Sequence, residues 1–404
     1  MSSEWPVPSA QHFRVVYGKL YAALLSQFGS RYMAEMEDAI QNSMLKFLQL
    51  GRQHKIPENS ENWLYIVARN DLLSQLKKQQ VYNYAVSEFA GEHFSGTGTF
   101  DLRLQTIIFL SALKNISGQV KLFFILKNIF GLSVAEISSA TLIGQEAIYK
   151  SINRAKKAIQ LAYRGTEIEL SQLEATEPTV LLVEEVLYSV FNIGFDSFSE
   201  KTKDIVNEDL CLEAMALAKL LLKQYKYLST SNLLALFCFH AARIKAKVQD
   251  GKFVSFFHQN RQKWSPDLLT LAFSYLRKPE KLNRVYIEAL IVSKYMASSQ
   301  LTQANWMEIV GLYELLQKIA PSPIIQLNYC FCLGQTGRTE EALKVLADIE
   351  RKLPEAYIYF SLLKANLLKA IDPTESEELY RTALKKINQQ IRKDYLLENE
   401  LLLF

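Results

Sequence analysis

The chain has 404 residues, 49% of them hydrophobic, and a formal net charge of +4. That length holds two or three domains with ample apolar material for their cores, and so small a charge confines any nucleic-acid surface to a local patch. Four cysteines without metal-ligand spacing argue against a disulfide framework and for a reducing compartment. Cys330 and Cys332, one residue apart in an apolar run, read as buried small hydrophobes. The opening MSSEWPVPSA lacks the basic-then-apolar layout of a signal peptide. No apolar run reads as long enough for a membrane span, so the expected location is the cytoplasm.

Residues 11–50 read as two helices broken near Gly29 and Ser30. Phe13, Val16, Tyr17, Leu20, Leu24 and Phe28 form an apolar stripe on the first. The second carries Met36, Ile40, Met44, Phe47 and Leu48 on one side and Glu37, Asp38, Gln41 and Asn42 on another. After a basic loop, Ser60 is placed to cap a third helix in which Trp63, Leu64, Val67, Leu72 and Leu76 face inward. Arg69, Lys77 and Lys78 face outward. Aromatic residues beside bases suit a single strand whose bases stack on rings, although a Trp and a Tyr near a helix start are also ordinary core residues. Residues 81–104 read as a linker, with three glycines by residue 98; His93 within it has no partner at ligand spacing.

The stretch from 118 to 163 organises the chain. A helix from about Gln119 to Phe130 ends at Gly131, which tolerates the left-handed conformation. Ser133 then caps a short helix, with Glu136 completing a capping box. The apolar turn TLIG follows, and a longer helix starts at Gln145. Its Ile148, Ile152, Ala155 and Ile159 fall on one side, and Tyr149, Lys150, Asn153, Arg154 and Lys157 largely on the other. A short helix, a tight turn and a second helix with a polar basic face is the helix-turn-helix pattern. From Gln145 to Arg164 one acid, Glu146, stands against Lys150, Arg154, Lys156, Lys157 and Arg164. These bases can neutralise phosphates, while Gln145, Glu146 and Asn153 offer groups that read base edges. A core helix pair with a solvated cationic side has the same composition.

Beyond about residue 165 basic clusters thin out and amphipathic helices follow one another. They are expected near 180–195, 210–226, 231–247, 265–276, 283–298 and 305–319. Two segments, 321–354 and 355–387, each read as helix, turn and helix, with turns at Gly337 and at Asp372-Pro373. Such pairs must stack on neighbours to bury their apolar faces, as tetratricopeptide-like repeats do. His240, His258, Asp250 and Glu213 could belong to an enzyme site, but no nucleophile motif, phosphate loop or metal spacing accompanies them. His240, in an apolar helix, reads as a hydrogen-bonded core histidine. Gln259, Arg261 and Trp264 could line a ligand pocket or fix a loop between helices, and the structural role is the one expected. No enzyme activity and no cofactor are expected.

The order of these elements resembles a sigma-70 family factor of the extracytoplasmic-function type. The strings that carry the resemblance are Glu37-Asp38 with Gln41, Trp63-Leu64 with Ala68-Arg69-Asn70, Gly131-Leu132-Ser133 with Ala135-Glu136-Ile137, and Arg154-Ala155-Lys156. Asn42, Ser74 and Met44 depart from the family's usual acid, Asp and aromatic residue. Further strings resemble the subgroup with a tetratricopeptide-like C-terminal extension: Val186-Leu187-Tyr188, His240-Ala241-Ala242-Arg243, Gln259-Asn260-Arg261 with Trp264, and Pro321-Ser322-Pro323 with Leu327-Asn328. The resemblance implies an all-α fold: a region 2 bundle over 1–80, the linker, a region 4 helix-turn-helix over 105–165, and a regulatory helical domain over 175–404. It implies that Glu37, Asp38 and Gln41 meet core RNA polymerase. Tyr65, Arg69, Asn70, Lys77 and Lys78 would hold the −10 element, and Gln145, Glu146, Tyr149, Lys150, Asn153 and Arg154 would meet the −35 element. The alternative is a one-component helix-turn-helix regulator with a sensing domain and no polymerase partner.

Overall fold

A computed structural model describes residues 10–78, 101–163, 170, 174–196, 205–298, 300–354 and 357–401. Of the expected linker, residues 81–104, the part from 102 is already helix, which corrects its C-terminal bound; residues 81–100, His93 among them, and Arg164 lie outside the described residues. The fold is all-α, with one two-stranded hairpin among the described residues. The chain divides into two compact units, Met1–Val190 and Phe191–Phe404.

The first unit contains α1 (Ala10–Phe28), α2 (Met33–Arg52), α3 (Ser60–Lys78), α4 (Leu102–Ala112), α5 (Gly118–Asn128), α6 (Val134–Thr141) and α7 (Gln145–Ala162). α1 is its axis and packs against α2, α3, α4 and α5. Val16, Leu20, Tyr21, Leu24 and Leu25 are buried along it, and Tyr21 meets Phe124 of α5 edge-on. Gly18 permits the closest approach: a Cβ there would lie 1.9 Å from the Ile129 carbonyl oxygen. The helices expected on either side of the linker therefore form one body rather than two. α4, which apolar residues fill on every side and which no period marks, has its N-terminus capped by Asp101 accepting from the Arg103 and Leu104 amides.

α8 (Glu177–Phe195) holds the boundary between the units. Its length and mean hydropathy of 1.3 would let it cross a membrane, which corrects the reading that no segment is apolar enough. Within the protein 61% of that window is buried, as in a core helix.

In the second unit α9 (Glu208–Tyr225), α10 (Leu228–Ala242), α11 (Pro266–Tyr275), α12 (Arg284–Ala297), α13 (Gln303–Ile319), α14 (Pro323–Gln335), α15 (Thr339–Ile349), α16 (Ile358–Leu368), α17 (Pro373–Lys386) and α18 (Gln390–Leu396) pack largely neighbour on neighbour. The turns expected at Gly337 and Asp372 are present. Gly337 takes φ +79°, and Asp372 caps α17, with Pro373 in its first turn. α10 is buried along nearly its whole length and stops at Ala242, short of the expected 247. There the Ala242 carbonyl accepts from the Ser265 amide, and the chain enters a 3-10 turn and the hairpin of β1 (Val248–Gln249) and β2 (Lys252–Phe253). α18 and the turn after it return to that hairpin: Tyr395 of α18 meets Phe253 edge-on, and Glu398, just beyond, pairs with Lys252 at 2.8 Å. All four cysteines are free and buried, and burial pushes the thiols of Cys330 and Cys332 up to about 12.

Candidate nucleic-acid interface

The helix-turn-helix forms as its sequence dictates. Gly131 takes φ +61° at the end of α5, and the Leu132 amide reaches back to the Leu126 carbonyl. Ser133 Oγ accepts from the Glu136 amide at 3.2 Å, and Glu136 Oε2 accepts from the Ser133 amide at 2.8 Å, closing the capping box. The turn places Leu142 at φ +59°, and Ser138 Oγ donates to the Ile143 carbonyl at 2.7 Å, tying α6 to the start of α7. Leu142 is a costly residue for that conformation, and this bond helps hold it.

α7 buries Ile148, Ile152, Ala155 and Ile159. Gln145, Glu146, Tyr149, Lys150, Asn153 and Arg154 are all exposed, and Tyr149 keeps 55% of its surface. Lys157 shares this side. Glu146 pairs with Lys150 one turn on, so Arg154 and Lys157 carry the unpaired charge of the face among the described residues. A convex helix with forked donors at its N-terminal half and cations behind them has the form that enters a major groove.

Lys156 does not belong to that face. Its ammonium lies 2.6 Å from Glu37 Oε2 of α2, and the two side chains keep only 22% and 20% of their surface. Of the three residues expected to meet polymerase, Asp38 and Gln41 are exposed, while Glu37 is turned into the first unit. Burial, and after it the nearby Glu37 charge, pushes the Tyr17 and Tyr21 hydroxyls above their ordinary range. Further bonds join neighbouring elements of this unit: Arg14 of α1 to Glu136 of α6 at 2.6 Å, and, from the turn between α1 and α2 to α7, Ser30 Oγ to the Ile159 carbonyl and Gln160 to the Arg31 carbonyl. Burial raises the Glu136 carboxyl, but the Ser133 bonds and the Arg14 charge outweigh it and leave the group below its ordinary value.

On α3, Asn70 and Lys77 are exposed and Arg69 is half-buried; the Lys78 side chain lies outside the described residues. Tyr65 is half-buried and its hydroxyl donates to Gln27 Oε1 at 2.9 Å. Trp63 packs on Phe47 at 6.0 Å, the core role open to it from the start. In the second unit Arg261 donates to the Met296, Tyr295 and Ser298 carbonyls at the end of α12 and stacks on Trp264, so it does fix a loop. His240 differs from expectation: its Nδ1 is buried without a hydrogen-bond partner. His258 bonds Ser255, and Asp250 turns the β1–β2 hairpin at φ +51°.

A family described as "Family of unknown function (DUF6596)" matches residues 180–280. An uncharacterized protein of Rhizobium meliloti (strain 1021) is 26% identical over 366 residues, covering 86% of this chain and 84% of that protein. No solved structure matches.

Proposed function

We propose that the protein is a sigma factor that binds core RNA polymerase and directs transcription to particular promoters. The observation that carries this reading is α7, a helix that buries one side against the first unit and turns its six base- and phosphate-reading residues to solvent. In this reading Gln145, Glu146, Tyr149, Lys150, Asn153 and Arg154 lie in the major groove of the −35 element. Arg69, Asn70, Lys77 and Lys78 hold the −10 strand as it melts, and Tyr65 joins them once its hydroxyl leaves Gln27. Binding of unstacked bases offsets part of the cost of unpairing, so no enzymatic step is needed. Asp38 and Gln41 meet the polymerase first. Glu37 follows when a basic polymerase surface replaces Lys156, and the helices from residue 175 onward regulate that opening.

Purified full-length chain mixed with core polymerase tests the reading. A stable complex that starts transcription at a defined site is expected. The second reading, a one-component regulator, gains from the Glu37–Lys156 pair, because α1–α3 then act as a support for the helix-turn-helix. It predicts specific binding to duplex DNA by the chain alone and no complex with polymerase.

A further inference from the structure

The second unit gathers more positive charge than its acids match. At the end of α10, His240, Arg243 and Lys247 follow at intervals of three and four residues, which puts them on one side of the chain. Arg392 of α18 joins them. Asp196 is the one acid that pairs with any of these among the described residues: Arg392 lies 2.7 Å and Lys247 3.4 Å from its Oδ1. Tyr359 donates to Oδ2 of the same carboxylate at 3.0 Å and accepts from Arg392 at 3.1 Å. Lys247 is 4% exposed and also donates to the Phe195 carbonyl.

Arg243 makes no salt bridge among the described residues. Its guanidinium lies between two rings, 4.7 Å from the centre of Phe195 and 4.9 Å from that of Phe256, and its Nε is buried without a partner. The His240 ring stands 4.9 Å from Phe195, its Nδ1 likewise unpartnered. Arg243 thus has no salt-bridge partner among the described residues, and Lys247 shares its carboxylate with Arg392; a buried charge without a counter-charge is costly. Burial brings Lys247 down to about 8, even with Asp196 holding it up, and brings Arg243 to about 10. The side chain of Asp196 keeps 34% of its surface.

We infer that this cluster binds a small oxyanion, a phosphate or carboxylate group, between Arg243 and Lys247 with His240 at its edge. The forked guanidinium, fixed by its two rings, supplies paired donors, and the ammonium supplies a point charge. Asp196 holds Lys247 and Arg392 in place, and Tyr359 braces Arg392. The inference does not depend on the sigma-factor reading.

Calorimetric titration of the full-length chain with inorganic phosphate, and separately with citrate, at constant ionic strength tests it. Saturable binding is expected, with a matching rise in Tm. Arg243→Gln should weaken binding tenfold or more, and Arg243→Lys should weaken it less. Phosphate also raises Tm without a site, by exclusion from protein surfaces, so an equal rise in wild type and Arg243→Gln would overturn the inference. So would the absence of binding heat in the wild type at millimolar phosphate, whatever the variants do. Glu200 and Asp204 follow Asp196 in the chain, outside the described residues. Binding by a Glu200→Gln/Asp204→Asn variant but not by wild type would show that the chain supplies its own anion, and would equally overturn the proposal.

Discussion

Arg154 and Lys156 stand two residues apart in one helix and have opposite surroundings. Arg154 is exposed on the outer side of α7, beside Asn153 and Lys150; Lys156 is turned inward against Glu37, 119 residues earlier in the chain. Two residues of helix are a rotation of about 200°, so neighbouring cations in sequence serve opposite sides. Counting bases along the segment therefore overstates the cationic surface of α7. One of them holds the unit together instead.

The sharpest way to break this division is on the inner side. Gly18→Ala would drive a methyl group into the Ile129 carbonyl, backbone against backbone. It should destabilise the first unit by about 3 kcal/mol, read as a lower urea midpoint. A midpoint equal to wild type would mean that α1 and α5 can part freely.

Glu37→Gln comes next. It leaves Lys156 half-buried beside a neutral amide and should cost about 2 kcal/mol of stability. Lys156→Met should cost about as much, because it leaves the Glu37 carboxylate, at 20% exposure, without its cation. Neither should change the salt dependence of DNA binding, since neither residue is on the outer side; a smaller slope in Lys156→Met would move that residue back into the DNA face.

The Arg14–Glu136 pair gives a pH-dependent version. The folded protein holds Glu136 below its ordinary value of 4.5, so on acidification the unfolded chain binds its proton first. The stabilisation is therefore present above pH 4.5 and lost as pH falls below it. Glu136→Gln should flatten this part of the stability profile, and a profile as steep as wild type would assign the acid sensitivity elsewhere.

The smallest expected effect on stability is at Arg154. Arg154→Ala should change it by less than about 0.5 kcal/mol. It should nevertheless weaken DNA binding on every sequence and lower the salt slope by about one. Gln145→Ala should instead alter preference at particular bases. Equal losses from both substitutions on all sequences would rule out α7 as the reading helix.

What could be read from the sequence was local. The capping box at Ser133, the left-handed Gly131, the start of α7 at Gln145 and its buried stripe each depend on residues within about one turn, and all are present. The turns at Gly337 and Asp372 belong to the same class. The outward placement of the six α7 residues follows from the stripe. Glu37 could not be placed this way: its helix showed an acidic side, but the cation that covers it comes from another helix. The Asp196–Arg392 pair joins residues 196 positions apart and leaves no periodic trace. The β1–β2 hairpin, two residues per strand, is too short for an alternating pattern to mark it.

The return of α18 to the β1–β2 hairpin changes how the second unit comes apart. An open array of stacked helices frays from its last repeat, and its stability is a sum of nearest-neighbour terms. Here Glu398 and Tyr395 grip the hairpin, and Arg392 holds the carboxylate that follows α8. Releasing the final helix exposes the same carboxylate and lysine that anchor the beginning of the unit. Heating should accordingly produce one cooperative transition for residues 191–404, with calorimetric and van't Hoff enthalpies in agreement, rather than a gradual melt from one end.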